Sequence, residues 1–123
     1  MKAKITIMSN IITEETIDEL NAQSTECKYS VTTGSNLVEH TDKIVIIFEL
    51  LRSMGYAAAY DLCKAALLLI ICKIQEKTNK NKTENTVTVI CGEEKYSFIF
   101  PFELSESQKE KVVDAAIEKM LKS

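Results

Sequence analysis

The chain has 123 residues, 46% of them hydrophobic and 27% charged, and its 15 basic residues against 18 acidic ones leave a formal net charge of −3. That length fits a single domain over residues 1–123, with a core that needs no disulfide or metal staple. An acidic balance argues against an electrostatically driven nucleic-acid binder, which needs clustered lysine and arginine; only Lys77, Lys80 and Lys82 cluster, in what reads as a loop.

Taken in order, residues 2–8 (KAKITIM) predict a strand with Ala3, Ile5 and Ile7 on one side. A helix follows. Thr13 caps it, Glu14 and Glu15 sit in its positive first turn, and Ile12 staples to Ile17. Ile17 and Leu20 give this helix one short apolar face, and it ends by Ser24. Cys27, Tyr29 and Val31 then alternate with Lys28, Ser30 and Thr32, a half-buried strand that stops at Gly34. Gly34-Ser35-Asn36 forms the loop that follows.

The most apolar stretch runs from Thr41 to Lys77, TDKIVIIFELLRSMGYAAAYDLCKAALLLIICKIQEK. Its β-branched opening, Ile44 to Phe48, suits a buried strand, yet as a helix it would place Ile44, Ile47, Phe48 and Leu51 on one face. With Thr41 as cap, Asp42 at the N-terminus and Gly55 as stop, two successive helices are expected, over 41–54 and 57–77. The second is too charged to span a bilayer. Asp61, Lys64 and Lys73 interrupt it, and each would cost ~2.5–3.5 kcal/mol near mid-membrane. On a helical wheel Asp61, Lys64, Leu68, Ile71 and Gln75 share one stripe, polar at its ends and apolar in its middle. Leu68 and Ile71 are therefore covered either by a second layer of the fold or by another subunit.

After a solvated loop from Thr78 to Asn85, Val87, Val89 and Cys91 alternate with Thr88 and Ile90. Tyr96, Phe98, Phe100 and Phe102 alternate likewise beyond Gly92-Glu93-Glu94-Lys95, so the two runs predict a hairpin with four aromatics on its core face. Pro101 marks the second strand as an edge, or as ending there. Ser105 and Gln108 form a capping box, and Val112, Val113, Ala116, Ile117, Met120 and Leu121 give the last helix one apolar stripe. The expected order is β-α-β-α-α-β-β-α, an α/β or α+β fold with a sheet of about four strands packed with helices.

The long helical TDKIVIIFELLRSMGYAAAYDLCKAALLLIICKIQEK, then TVTVICGEEKYSFIF and the capped last helix, resemble the effector-associated constant components, small domains found beside bacterial conflict-system effectors. The likeness rests on element order, hydrophobic pattern and the TVTV strand; the glycine-rich turn expected between the helices is reduced here to Gly55. It implies a non-catalytic accessory role.

Chemistry-bearing residues are sparse. His40 is the single histidine, and Cys27 falls on the apolar side of its strand, so a Cys–His pair has little to stand on. The four cysteines lack the paired spacings of a zinc site and read as buried thiols in a reducing cytoplasm. No cofactor is expected. MKAKITIMSNIITEE shows no secretory pattern, which agrees with a cytoplasmic protein. Thr33-Gly34-Ser35-Asn36 lacks the glycines and lysine of a phosphate loop. Glu14, Glu15, Asp18 and Glu19 form an acidic cluster suited to a solvated face or a basic partner. Residues and resemblance together point to a protein-interaction domain, an accessory or adaptor protein, with a protein partner or self-association as a homo-oligomer and no membrane or nucleic-acid role. A toxin-neutralising immunity protein is the alternative, and a small-ligand-binding protein follows it.

Overall fold

Alternating burial along five strands builds one mixed sheet, β2-β1-β3-β4-β5. The computed structural model describes residues 2–9, 12–24, 26–32, 43–77, 84–101 and 104–121, with the backbone alone at 32, 43, 77, 84–85 and 100–101. The strands are β1 (Ala3–Met8), β2 (Cys27–Thr32), β3 (Lys43–Leu50), β4 (Glu84–Cys91) and β5 (Glu94–Pro101). The helices are α1 (Glu14–Gln23), α2 (Tyr56–Lys77) and α3 (Glu106–Met120). β1 runs parallel to β2 and β3 parallel to β4, while β1 and β3 meet antiparallel at the centre. Two β-α-β units thus stand back to back, and β5 is added to the second by a hairpin.

The fold is the mixed α/β sandwich expected, with one correction. Residues 43–50 are a strand, not the first of two helices, so the order is β-α-β-β-α-β-β-α and the sheet has five strands. The β-branched run decided this. Ile44, Ile46 and Phe48 are buried under the helices, and Val45 and Ile47 point to the other face. Stiff Val and Ile side chains pack well on a pleated surface flanked by strands on both sides. Gly55 lies in the short connection to α2, and its carbonyl accepts from the Ala59 N–H at 2.9 Å.

All three helices cover one face of the sheet. The core joins Ile5, Ile7, Ile46, Phe48, Val87 and Val89 from the strands to Leu20, Leu67, Ile70, Ile74, Val113 and Ile117 from the helices. The opposite face is open and mixed. Lys4, Lys28, Ser30 and Glu49 are exposed there, around half-buried Met8, Val45, Ile47 and Ile90. Thr6 hydrogen-bonds Ser30 at 3.4 Å and Thr88 hydrogen-bonds Ser97 at 2.8 Å across it.

The helix ends follow the expected chemistry. The Thr13 hydroxyl accepts from the Thr16 N–H, and Ser105 and Gln108 close a reciprocal capping box. Gly92 has φ of 63° at the first turn position of the β4–β5 hairpin, as a two-residue type II′ turn requires. The aromatic face fits the expectation only in part. Tyr96 and Phe98 do lie on the helix side, with ring centroids 6.0 Å apart, but both are only half-buried. Among the described residues β5 is the outermost strand, with no strand beyond it. Phe102 and the side chain of Phe100 lie outside the described residues, as do His40, Thr33–Asn36 and the loop 78–83.

Candidate interaction surface

α2 lies between α1 and α3, and its outward side is the least polar exposed part of the helical layer. Ala58, Asp61, Ala65 and Cys72 are exposed along it, with Leu68 and Leu69 half-exposed beside them. Three shallow grooves meet at Ala65. One of about 330 Å³ runs towards α1 and β2 past Leu62, Leu69, Ser24 and Glu26. A second, of about 340 Å³, separates α2 from α3 and is lined by Leu68, Cys72, Glu106, Lys109 and Glu110. The third, of about 290 Å³, passes Ala58, Asp61 and Met54.

Ion pairs fix the edges of this surface. Lys73 reaches from α2 to Glu19 of α1 at 2.9 Å and to Glu76 at 3.6 Å. Lys64 pairs with Asp114 of α3 at 3.1 Å, not with Asp61 as its spacing would allow, and the Tyr60 hydroxyl donates to the same carboxylate at 2.8 Å. The Tyr60 bond and the Lys64 bond hold Asp114 below the usual carboxylate range, and the bond to Asp114 raises Lys64. Tyr60 is pushed up to about 12, first by desolvation and then by the Asp114 carboxylate. Lys2 and Glu26, 3.1 Å apart, rim the groove that passes Ala58, Asp61 and Met54.

The sequence-predicted residues separate. Leu68 lines the α2–α3 groove, but Ile71 is only 1% exposed and belongs to the core. The exposed row of α2 is offset from the stripe expected. At 3.6 residues per turn, Ile71 lies about 80° from Asp61 on the wheel, on the sheet side, whereas Ala65 and Cys72 lie within about 40° of it. Sequence reasoning therefore missed Ala65, Leu69 and Cys72, although the row Ala58-Asp61-Ala65-Cys72 carries the signal. Glu14, Glu15 and Asp18 are exposed on α1, while Glu19 is half-buried in its ion pair.

The cysteines divide too. Cys27 and Cys63 are buried, Cys91 is half-buried, and Cys72 is exposed, contrary to the uniform burial expected. Burial pushes the Cys63 thiol up to about 12, with Cys91 and Cys27 nearby adding to it. A thiol so raised is a poor nucleophile at neutral pH. Among the described residues no group of three or more His, Cys, Asp or Glu side chains is placed to hold a metal ion. Among the same residues no helix is long and apolar enough to cross a membrane. Compared with protein-family models, curated proteins and solved structures, the chain matches none.

Proposed function

We propose that this chain is a non-catalytic protein-interaction domain, a cytoplasmic accessory or adaptor protein of a bacterial conflict system, and that it receives a partner protein on the outer side of α2. The meeting of three apolar-floored grooves at Ala65 carries this reading. A helix laid along Ala58, Ala65, Leu69 and Cys72 would cover these side chains at once, the helix-in-groove mode of recognition. Glu26 and Glu106 on the rims are paired with Lys2 and Lys109, and Asp61 and Glu110 beside them favour a partner with basic flanks.

The test is affinity capture from the native cell with wild type and with Ala65→Glu, which changes an exposed residue. A protein retained by the wild type and lost by the variant supports the surface. Equal retention by both would move the partner elsewhere, and a wild type that retains nothing counts against an adaptor. One observation favours a second reading, a toxin-neutralising immunity protein: α1 carries Glu14, Glu15, Asp18 and Glu19 and no basic residue. Such a face suits the basic surface of a nuclease. Growth rescue on co-expression with the product of an adjacent gene, abolished by Glu14→Lys with Asp18→Lys, is the result that reading requires.

A further inference from the structure

The two edges of the sheet are treated differently. At β2 part of the outward backbone, at Cys27 and Tyr29, is occupied by the chain's own side chains. The Asn21 amide takes both the N–H and the carbonyl of Tyr29, and the Ser24 hydroxyl accepts from the Cys27 N–H at 3.1 Å. At β5 the type II′ turn sets the alternation: Glu94, Tyr96 and Phe98 face β4, and Lys95, Ser97 and Ile99 turn their N–H and carbonyl groups outward. Among the described residues, no hydrogen bond reaches the backbone of those three. Their side chains are exposed, Ile99 by 56%, and the rings of Tyr96 and Phe98 behind them are only half-covered.

We propose that this free edge pairs antiparallel with β5 of a second copy, in the register centred on Ser97, giving a twofold dimer with one continuous sheet. The proposal deepens the interaction reading by supplying the self-association surface, but it does not depend on docking at α2. The strand is self-complementary only in some registers, and this one pairs its outward backbone groups, its aromatic rings and its charges without conflict. Ser97 stands opposite Ser97, and Lys95 opposite Ile99, so the three outward residues of each copy exchange about six hydrogen bonds. Tyr96 lies opposite Phe98 of the other copy on the helix side, an aromatic cross-strand pair that completes the half-covered rings. Pro101, which has no N–H to give, falls opposite Glu93 in the turn, beyond the ladder. The two Lys95 charges are kept about 13 Å apart along the strands, more than a Debye length at physiological salt. Each lies against the Ile99 side chain of the other copy.

Sedimentation of the full chain should give a dimer, and Ile99→Lys, at an exposed position, should weaken it by about tenfold or more while circular dichroism stays unchanged. In a Cys72→Ser background, Ser97→Cys should form a disulfide-linked dimer with oxidised glutathione, because narrow-pair Cα atoms lie about 5.5 Å apart, within disulfide reach. Thr88→Cys, one strand further in, would face its counterpart at about 14 Å and should not link. A wild type that stays monomeric, a dimer indifferent to Ile99→Lys, or a Ser97→Cys variant that fails to link would each overturn the proposal. So would edge amides that become protected from exchange only when another protein is added, since the strand would then belong to that protein. Loss of partner capture by Ala65→Glu with the dimer intact concerns α2 alone, which keeps the two readings distinguishable.

Discussion

Asn21 brackets Tyr29: its Oδ1 accepts from the Tyr29 N–H at 2.8 Å and its Nδ2 donates to the Tyr29 carbonyl at 3.0 Å. A side-chain amide thereby stands in for one residue of a neighbouring strand and closes the β2 edge. It also ties α1 to the strand that follows it, so one residue both protects the edge and docks the helix.

Replacing Asn21 with Ala should leave both backbone groups without this partner and cost about 1–2 kcal/mol. The urea midpoint should fall, and the Tyr29 amide should lose protection from hydrogen exchange before its neighbours do. The variant should also aggregate more readily, because an uncapped edge invites strand addition. A Tyr29 amide that exchanges no faster in the variant would show that the bond is not maintained in solution.

Burial separates two phenylalanines that look alike in the sequence. Phe48, 1% exposed on central β3, should cost ~3–5 kcal/mol on truncation to Ala. Phe98, half-buried on the edge strand, should cost roughly 1–2 kcal/mol, in proportion to the apolar area it hides. Chemical denaturation of the two variants gives the comparison. Equal losses would mean that Phe98 is covered more fully than the isolated chain provides, as β5 pairing would do.

These contrasts mark what could be read from the residues alone. Short-range signals were legible: the Thr13 cap, the Ser105–Gln108 box, the alternation in β1, β2 and the hairpin, and the turn glycine Gly92 all depend on neighbours within a few residues. Residues 43–50 were not, because an apolar run of that length satisfies both helical and strand spacing, and the decision rests on strands β1 and β4 lying on either side. The outer row of α2 was blurred for a related reason. A helix apolar nearly all round has no strong face, so its orientation is set by the sheet beneath it and by the Lys64–Asp114 and Lys73–Glu19 pairs. The pairing of Lys64 with Asp114, 50 residues on, is tertiary information that no local pattern holds.

The Tyr60–Asp114–Lys64 group makes stability depend on pH at both ends. Asp114 has its pKa lowered in the fold, so its contribution is present above the ordinary carboxylate value of 3.8 and is lost as pH falls through the lower folded value. Tyr60 and Lys64 have raised values, so theirs is full below the ordinary 10.0 and 10.5; it is lost as pH rises through the folded values, about 12 for Tyr60. Asp114→Asn should remove the acid limb and shrink the alkaline one, because its carboxylate is the first cause of the Lys64 shift and, after desolvation, the second cause of the Tyr60 shift. Tyr60→Phe should flatten the alkaline side and weaken the acid side, at a cost near neutrality of about 1 kcal/mol for the lost hydrogen bond. Urea midpoints measured across pH give the profiles. An acid limb of unchanged slope in Asp114→Asn would place the charge linkage elsewhere.

Three substitutions along two turns of α2 test the surface assigned to a partner. Ala65 is exposed, Leu68 half-exposed and Ile71 buried, so a charge at each position meets a different medium. Ala65→Glu should stay within about 0.5 kcal/mol of wild type, as surface substitutions usually do. Leu68→Glu should lose roughly 1–2 kcal/mol, since only part of the side chain leaves apolar contact and the carboxylate can turn to water. Ile71→Lys places an ammonium group in the hydrophobic core, and the domain should unfold. Circular dichroism and urea midpoints rank the three. A folded Ile71→Lys with a wild-type midpoint would mean that α2 is rotated from the orientation described, with Ile71 and not Ala65 on the outside. If the predicted ranking holds, Ala65→Glu is the variant that can abolish partner capture without disturbing the fold, and a loss of capture there assigns the docking site to the outer row of α2.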